Sequence, residues 1–209
     1  MIISRTPLRL SIAGGSSDIS TFYEQHGSLI IAAALTKYVY ILVKHTPPIF
    51  NYRTSVQYSQ TEQVDDNLLI KHDGCRGVLQ KLGIQSGLQI SNLIDLPARS
   101  GLGSSSSYAV GLLNACHSLL EHDKPTKKQL ADEAINVERV ILAQSGGIQD
   151  QIIASYGGIC SIEIAKDGSY KVKPLPITRE FTQQLKNSMV LFYVGQRNSF
   201  DIAQSHDTK

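Results

Sequence analysis

Apolar and polar residues alternate with period two near the start of the chain and repeat every three to four positions in its middle. Leu8, Leu10 and Ile12 share one side of Ile2 to Ala13, with Arg9 and Ser11 on the other, which predicts a strand broken at Pro7. Ala13-Gly14-Gly15-Ser16-Ser17-Asp18 reads as a turn, and Ile19 to His26 as a short helix closed by Gly27. Leu29 to Ala34 and Tyr38 to Lys44 are two strands, the second rich in β-branched and aromatic residues. After the break at Thr46-Pro47-Pro48 come a strand at Ser55 to Ser59 and a helix at Asp66 to Leu82. Gly74 and Gly77 weaken that helix and Gly83 ends it. Leu88 to Ile94 is again a strand.

The pattern then changes. Ala109, Leu112, Leu113, Cys116, Leu119 and Leu120 have helical spacing, ending near His122 and before Pro125. Thr126 with Gln129 is a capping-box pair that opens a helix with Leu130, Ala134, Val137 and Ile141 on its apolar face. Ser145-Gly146-Gly147 interrupts it, and Ile148 to Tyr156 is a second short helix stopped by Gly157-Gly158. Ile159 to Ala165 and Tyr170 to Lys173 form a hairpin around Asp167-Gly168. Thr178 to Asn187 reads as an amphipathic helix and Met189 to Val194 as a buried strand. The order is that of an α+β fold.

Composition narrows this picture little. The 209 residues suit one domain or two small ones and can bury a real core. A net charge of +2, spread along the chain, gives no nucleic-acid or membrane surface, though a local basic pocket for a phosphorylated substrate is compatible with it. Cys75, Cys116 and Cys160 lack C-x-x-C spacing, so neither a disulfide framework nor a zinc site is expected. Cys116 falls on an apolar helix face as a small core residue. The apolar run Leu29 to Leu35 is too short to span a bilayer and no basic n-region precedes it. The expectation is a cytoplasmic, reduced protein, with a homodimer left open.

Candidate chemistry centres on Pro97-Ala98-Arg99-Ser100-Gly101-Leu102-Gly103-Ser104-Ser105-Ser106-Ser107. A glycine loop runs here into a helix, whose N-terminus carries unpaired N–H groups and the positive end of the dipole. Glycines admit an anion close to the backbone, and serine hydroxyls add donors. A flexible linker is the plain alternative, against which the flanking strand and helix weigh. No Gly-Lys-Ser/Thr ends the run, so it is not a Walker A loop. It also lacks the spacing of a G-x-S-x-G elbow.

The run resembles the second motif of the GHMP kinases (galactokinase, homoserine kinase, mevalonate kinase, phosphomevalonate kinase): Pro-x-x-x-Gly-Leu-Gly-Ser-Ser and then two small residues. In that superfamily the loop wraps the phosphates of ATP, which implies nucleotide-binding roles for Pro97, Gly101, Leu102, Gly103, Ser104, Ser105 and Ser106. Thr6-Pro7-Leu8-Arg9-Leu10-Ser11-Ile12-Ala13-Gly14-Gly15-Ser16-Ser17-Asp18 resembles the first motif. The likeness implies that Arg9 lies near the reacting groups, that Asp18 binds sugar hydroxyls, and that Arg5, Gly14, Gly15 and Gly147 belong to the substrate site. The plainer reading of this segment is a tight turn with Asp18 capping the next element. Glu138 stands where the family has a helix glutamate that holds Mg²⁺ with a loop serine, here Ser104 or Ser105. Its plain alternative is a solvated helix glutamate. Ser145-Gly146-Gly147-Ile148-Gln149-Asp150-Gln151 resembles the segment that carries the proposed catalytic base, which implies that role for Asp150. Arg9 would keep Asp150 ionised and balance charge on the moving phosphoryl. An acidic residue at a helix start also suits the dipole, and both can hold together.

Within the superfamily the residues look most like the D-glycero-D-manno-heptose 7-phosphate kinases. That likeness rests on Arg5 to Leu10, Ala13-Gly14-Gly15 with Asp18, Tyr23 and His26-Gly27, Lys37 to Tyr40, and Gln149-Asp150-Gln151 with Tyr156-Gly157-Gly158. It implies ATP- and Mg²⁺-dependent phosphorylation of an anomeric hydroxyl, giving a 1,7-bisphosphate. Arg5, Lys37, Arg99 and Arg197 are candidates for gripping the second phosphate. L-fucose, another sugar or a small alcohol such as homoserine are alternative acceptors. A catalytically silent module is a further alternative, since the N-terminal fold is shared with a ribosomal protein domain that contacts RNA. Family members are longer and carry a third, Gly-rich motif that does not occur here. The expectation is therefore an N-terminal ATP-binding domain over 1–185 and the opening of a ferredoxin-like C-terminal domain over 186–209, as a truncated product or an N-terminal piece.

Overall fold

The computed structural model describes residues 1–121, 123–193 and 195. Two long strands, β1 (Ile2–Ala13) and β2 (Ser28–His45), form an antiparallel pair at its centre. They are joined by the short helix α1 (Ser20–His26). The two strands expected at 29–34 and 38–44 are one continuous strand. β2 has β1 along its length and two further partners at its ends, the strands Leu88–Ile94 and Ile159–Ile164. Alternation along β2 buries Val39, Ile41 and Val43 on one face and leaves Tyr38, Tyr40 and Leu42 on the other.

In chain order the rest of the sheet is β3 (Thr54–Gln57), β4 (Thr61–Val64), β5 (Leu88–Ile94), β6 (Ile159–Ile164) and β7 (Tyr170–Pro174). Its order is β4-β3-β5-β2-β6-β7, with β1 also on β2. Only the β3–β5 pairing is parallel among the described strands. Short β4 has no sequence signal beyond β-propensity. The Asp167-Gly168 hairpin forms between β6 and β7, as its turn chemistry dictates.

Helices cover one face of the sheet. The helix expected over 66–82 divides into a short 3₁₀ turn at Asn67–Leu69 and α2 (Asp73–Lys81), whose N-cap is His72. Helix α3 (Ser104–Leu119) is central and buried almost all round, including Ala109, Val110, Leu112, Leu113 and Cys116. It lies close on β1: a methyl group at Gly111 would sit 2.7 Å from Thr6 Oγ1. That approach sets the register of β1 against the start of α3.

Helix α4 (Lys127–Ile135) begins at the Thr126–Gln129 capping box. It runs on into a π-helical turn, Asn136–Ile141, in which Leu142 N–H bonds Val137 O at 2.9 Å. Helix α5 (Gln149–Tyr156) comes after the Gly146-Gly147 break. Helix α6 (Arg179–Asn187) is capped by Thr178 and buries no side chain. The buried strand expected at 189–194 is not formed over 189–193: these residues are irregular and exposed, and among the described residues no strand lies beside them. Val194 and Arg197 lie outside the described residues.

Candidate functional site

Arg9 and Asp150 come together from positions 141 residues apart in the sequence. Arg9 Nε and Nη2 donate to the two Asp150 carboxylate oxygens at 2.5 and 2.7 Å, a bidentate fork. The third guanidinium nitrogen, Nη1, donates to Gly101 O at 2.9 Å, and the Arg9 backbone N–H donates to Leu102 O at 3.0 Å. One arginine thus ties β1, the glycine loop and the first turn of α5 together. Gly103 is the N-cap of α3, in left-handed backbone with φ 72°. A Cβ there would lie 3.0 Å from Arg9 Cγ and 3.1 Å from Asp150 Oδ2, so glycine suits both the dihedral and the space.

With no side chain at its N-cap, α3 has no side-chain cap bond. Its first N–H groups and dipole end therefore face a cleft of about 770 Å³ lined by Arg9, Arg99, Ser104, Ser105, Arg139 and Asp150. This arrangement fits the phosphates of a nucleotide, since amide donors and guanidinium groups converge on one space. A separate hollow of about 490 Å³ under Arg53, Asn67 and Gln85 mixes acidic and basic residues and shares no lining residue with the cleft.

Behind the serines, Glu138 is 2% exposed. Its Oε2 accepts from Ser106 Oγ at 2.7 Å and from Gln151 Nε2, and Arg139 Nη2 stands 4.0 Å away. The solvated glutamate is therefore excluded. The hydroxyl that meets Glu138 is Ser106, not Ser104 or Ser105, because Ser106 lies on the inward face of α3's first turn while Ser105 is exposed. No group of three or more His, Cys, Asp or Glu that could hold a metal occurs among the described residues. One carboxylate with nearby hydroxyls fits a Mg²⁺ shared with phosphate oxygens and water, the donor set that ion prefers.

Arg139 belongs to the site without any signature in the sequence. The π-helical turn sets it next to Glu138, and its guanidinium donates to the carbonyls of Gln144, Ser145 and Gly147 at 2.8, 2.8 and 3.2 Å. It thereby closes the Gln144–Gly147 loop into one wall of the cleft. No local periodicity marks a residue whose partners are loop carbonyls.

The first-motif turn is placed differently from the expectation. Asp18 is 2% exposed and turned inward, with Gln149 N–H 2.9 Å from Oδ2 and Gln149 Nε2 3.2 Å from Oδ1. Burial pushes its carboxyl above the usual range, opposed by the Gln149 N–H bond. It caps α5, not its sequence neighbour α1, whose N-cap is Ile19. Gly14 packs against β2 and Gly15 against Ser11 of β1, and neither lines the cleft; Ser16 does. Gly147 lines it. Arg5 stacks over the Tyr38 ring at 4.6 Å, outside the cleft lining, as are Lys37 and Pro97. Of the described phosphate-gripping candidates, Arg99 is in the lining.

Comparison with known proteins bears on the fold. Residues 67–158 match the model of the GHMP kinases N terminal domain. A D-glycero-alpha-D-manno-heptose 7-phosphate kinase from Campylobacter jejuni is 27% identical over 97% of this chain and 62% of its own length. A crystal structure from Bacteroides thetaiotaomicron, described as a D-glycero-D-manno-heptose 1-phosphate kinase, superposes with a TM-score of 0.82 at 28% identity, over 90% of this chain and 64% of that one. Mevalonate kinase from Methanococcus jannaschii shares the fold, with a TM-score of 0.65 at 20% identity over 89% of this chain and 58% of that one. The chain thus spans a little under two thirds of the relatives it matches. A glycine loop running into α3, the Arg9–Asp150 ion pair across from it and these relatives lead to one assignment: the chain has the fold of the GHMP kinases N terminal domain, whose model residues 67–158 match.

Proposed function

We propose that this chain supplies the nucleotide and catalytic half of an ATP-dependent sugar-phosphate kinase. The observation that carries the reading is the Arg9–Asp150 fork, held within van der Waals reach of the Gly103 N-cap of α3. The γ-phosphate of ATP lies at the α3 N-terminus, with the Ser104 to Ser106 turn around it. The acceptor hydroxyl approaches Asp150. Its oxygen bonds the γ-phosphorus, its proton passes to an Asp150 carboxylate oxygen, and the bond from that phosphorus to the β–γ bridging oxygen breaks to release ADP. Arg9 holds Asp150 in line and offsets negative charge on the moving group. Glu138 and Ser106 would hold Mg²⁺, which neutralises phosphate charge when bound.

The acceptor we propose is D-glycero-D-manno-heptose 7-phosphate, phosphorylated at its anomeric hydroxyl to the 1,7-bisphosphate. Two relatives named for heptose phosphate support the class, although their names differ in the phosphate position. Arg99 in the cleft lining offers a cation for the second phosphate. Steady-state ADP release with Mg-ATP and either heptose 7-phosphate, L-fucose or mannose tests the assignment. The expected result is a kcat/KM at least tenfold higher for the phosphorylated heptose. Equal or higher values for an unphosphorylated sugar overturn the choice of acceptor.

A further inference from the structure

The geometry points to Asp18 as a positioning residue that sets the N-terminus of α5, and with it Asp150. Three observations support this. Both carboxylate oxygens of Asp18 are engaged by one residue, Gln149, through its backbone N–H at 2.9 Å and its side-chain amide at 3.2 Å. The side chain is 2% exposed and is absent from the cleft lining, whereas its neighbours Ser16 and Ile19 are in it. Gly147 closes over the carboxylate so tightly that a Cβ there would lie 1.8 Å from Asp18 Oδ2. These contacts hold the Asp18 carboxylate against the start of α5 and outside the cleft lining.

Helix physics gives Asp18 a different task. The first N–H groups of a helix have no intrahelical partner, and a carboxylate supplied from elsewhere both satisfies one and suits the dipole. Helix α5 has no side-chain cap of its own: Ile148 occupies its N-cap position. Asp18 provides that acceptor from a segment 131 residues away. The bonded N–H belongs to the residue immediately before Asp150. Cap and acceptor-facing carboxylate therefore move as one unit, and the first-motif turn is mechanically joined to the phosphoryl-transfer pair.

The catalytic part of this inference rests on the proposed role of Asp150; the cap itself does not. The test pairs amide hydrogen exchange at Gln149 with kinetics of Asp18→Asn and Asp18→Ala. Asparagine keeps an oxygen that can accept from Gln149 N–H, whereas alanine cannot. Gln149 protection is expected to be retained in Asp18→Asn and lost in Asp18→Ala. In the alanine variant kcat falls ten- to a hundredfold while the sugar KM stays within about threefold, and asparagine restores most of kcat. Unchanged Gln149 protection in Asp18→Ala overturns the cap. A tenfold or greater rise in sugar KM in both variants, with protection intact, makes Asp18 a sugar ligand. If the unmodified chain turns over no sugar phosphate, the kinase reading fails while the exchange data still decide the cap. If Asp18→Ala does not fold, the Asn variant alone separates ligand from cap through its KM.

Discussion

Arg9 serves two partners through three nitrogens of one side chain, and only a guanidinium has the shape for it. Two of its nitrogens fork onto Asp150 and a third reaches Gly101 O. Lysine carries the same charge but is a single flexible point donor that cannot make the planar fork. Arg9→Lys is therefore expected to lower kcat by about a hundredfold, the scale seen when one preorganised charge-stabilising group is lost. A kcat within threefold of the parent would show that charge alone suffices. Arg9 and Asp150 were singled out through the resemblance of their two segments to family motifs, and the structure brings the two side chains together. The inward turn of Asp18 was not legible: its partner is 131 positions away, and no local pattern reports such a contact.

At the scale of elements, strong local patterns carried over directly. The capping box at Thr126, the Asp167-Gly168 hairpin and the α3 periodicity are all determined within a few residues, and the structure has each of them. The pattern failed where tertiary context decides. β2 runs through Leu35-Thr36-Lys37 because β1 pairs with residues on both sides of that stretch. The π-helical turn that brings Glu138 and Arg139 to the site has no periodic signature. The 66–82 helix breaks because His72 acts as an N-cap inside it: its Nδ1 accepts from Cys75 N–H at 3.1 Å. The His72 ring also stacks on Tyr108 of α3, with centroids 4.6 Å apart.

This cap titrates. Burial lowers the His72 pKa below its ordinary 6.5, and a protonated Nδ1 cannot accept. The folded state thus prefers neutral His72. Its contribution to stability is complete above pH 6.5 and is lost as pH falls from there through the lower folded value. His72→Asn keeps an N-cap acceptor and removes the titration. Thermal melts from about pH 7 to about pH 5 are expected to show a fall in melting temperature for the parent that is shallower in the variant. Identical slopes would show that His72 does not couple to folding.

For the whole molecule, one layer of helices on one sheet leaves the cleft at the end of α3, where the loop, β1 and α5 meet. No helix among the described residues is long and apolar enough to cross a membrane. The exposed run from Met189 to Tyr193 contrasts with the packed core and accompanies a chain that spans a little under two thirds of its relatives' length. The N-terminal fold nevertheless carries a cleft that fits nucleotide phosphates, so binding is expected to stabilise this chain directly. Mg-ATP at a hundred times its dissociation constant adds about 2.7 kcal/mol, read as a rise in melting temperature. Chelating Mg²⁺ is expected to remove most of that rise, while Glu138→Gln reduces it. A melting temperature indifferent to Mg-ATP would contradict the assignment of the glycine loop.

The most direct test of the central claim is a comparison of ADP release by the parent chain and by Asp150→Asn, with Mg-ATP and heptose 7-phosphate. The substitution preserves size and one acceptor oxygen while removing the carboxylate proposed to face the acceptor hydroxyl. The account predicts sugar-dependent release by the parent and a loss of at least a hundredfold in kcat in the variant, with Mg-ATP binding retained. Equal turnover by the two proteins would contradict it.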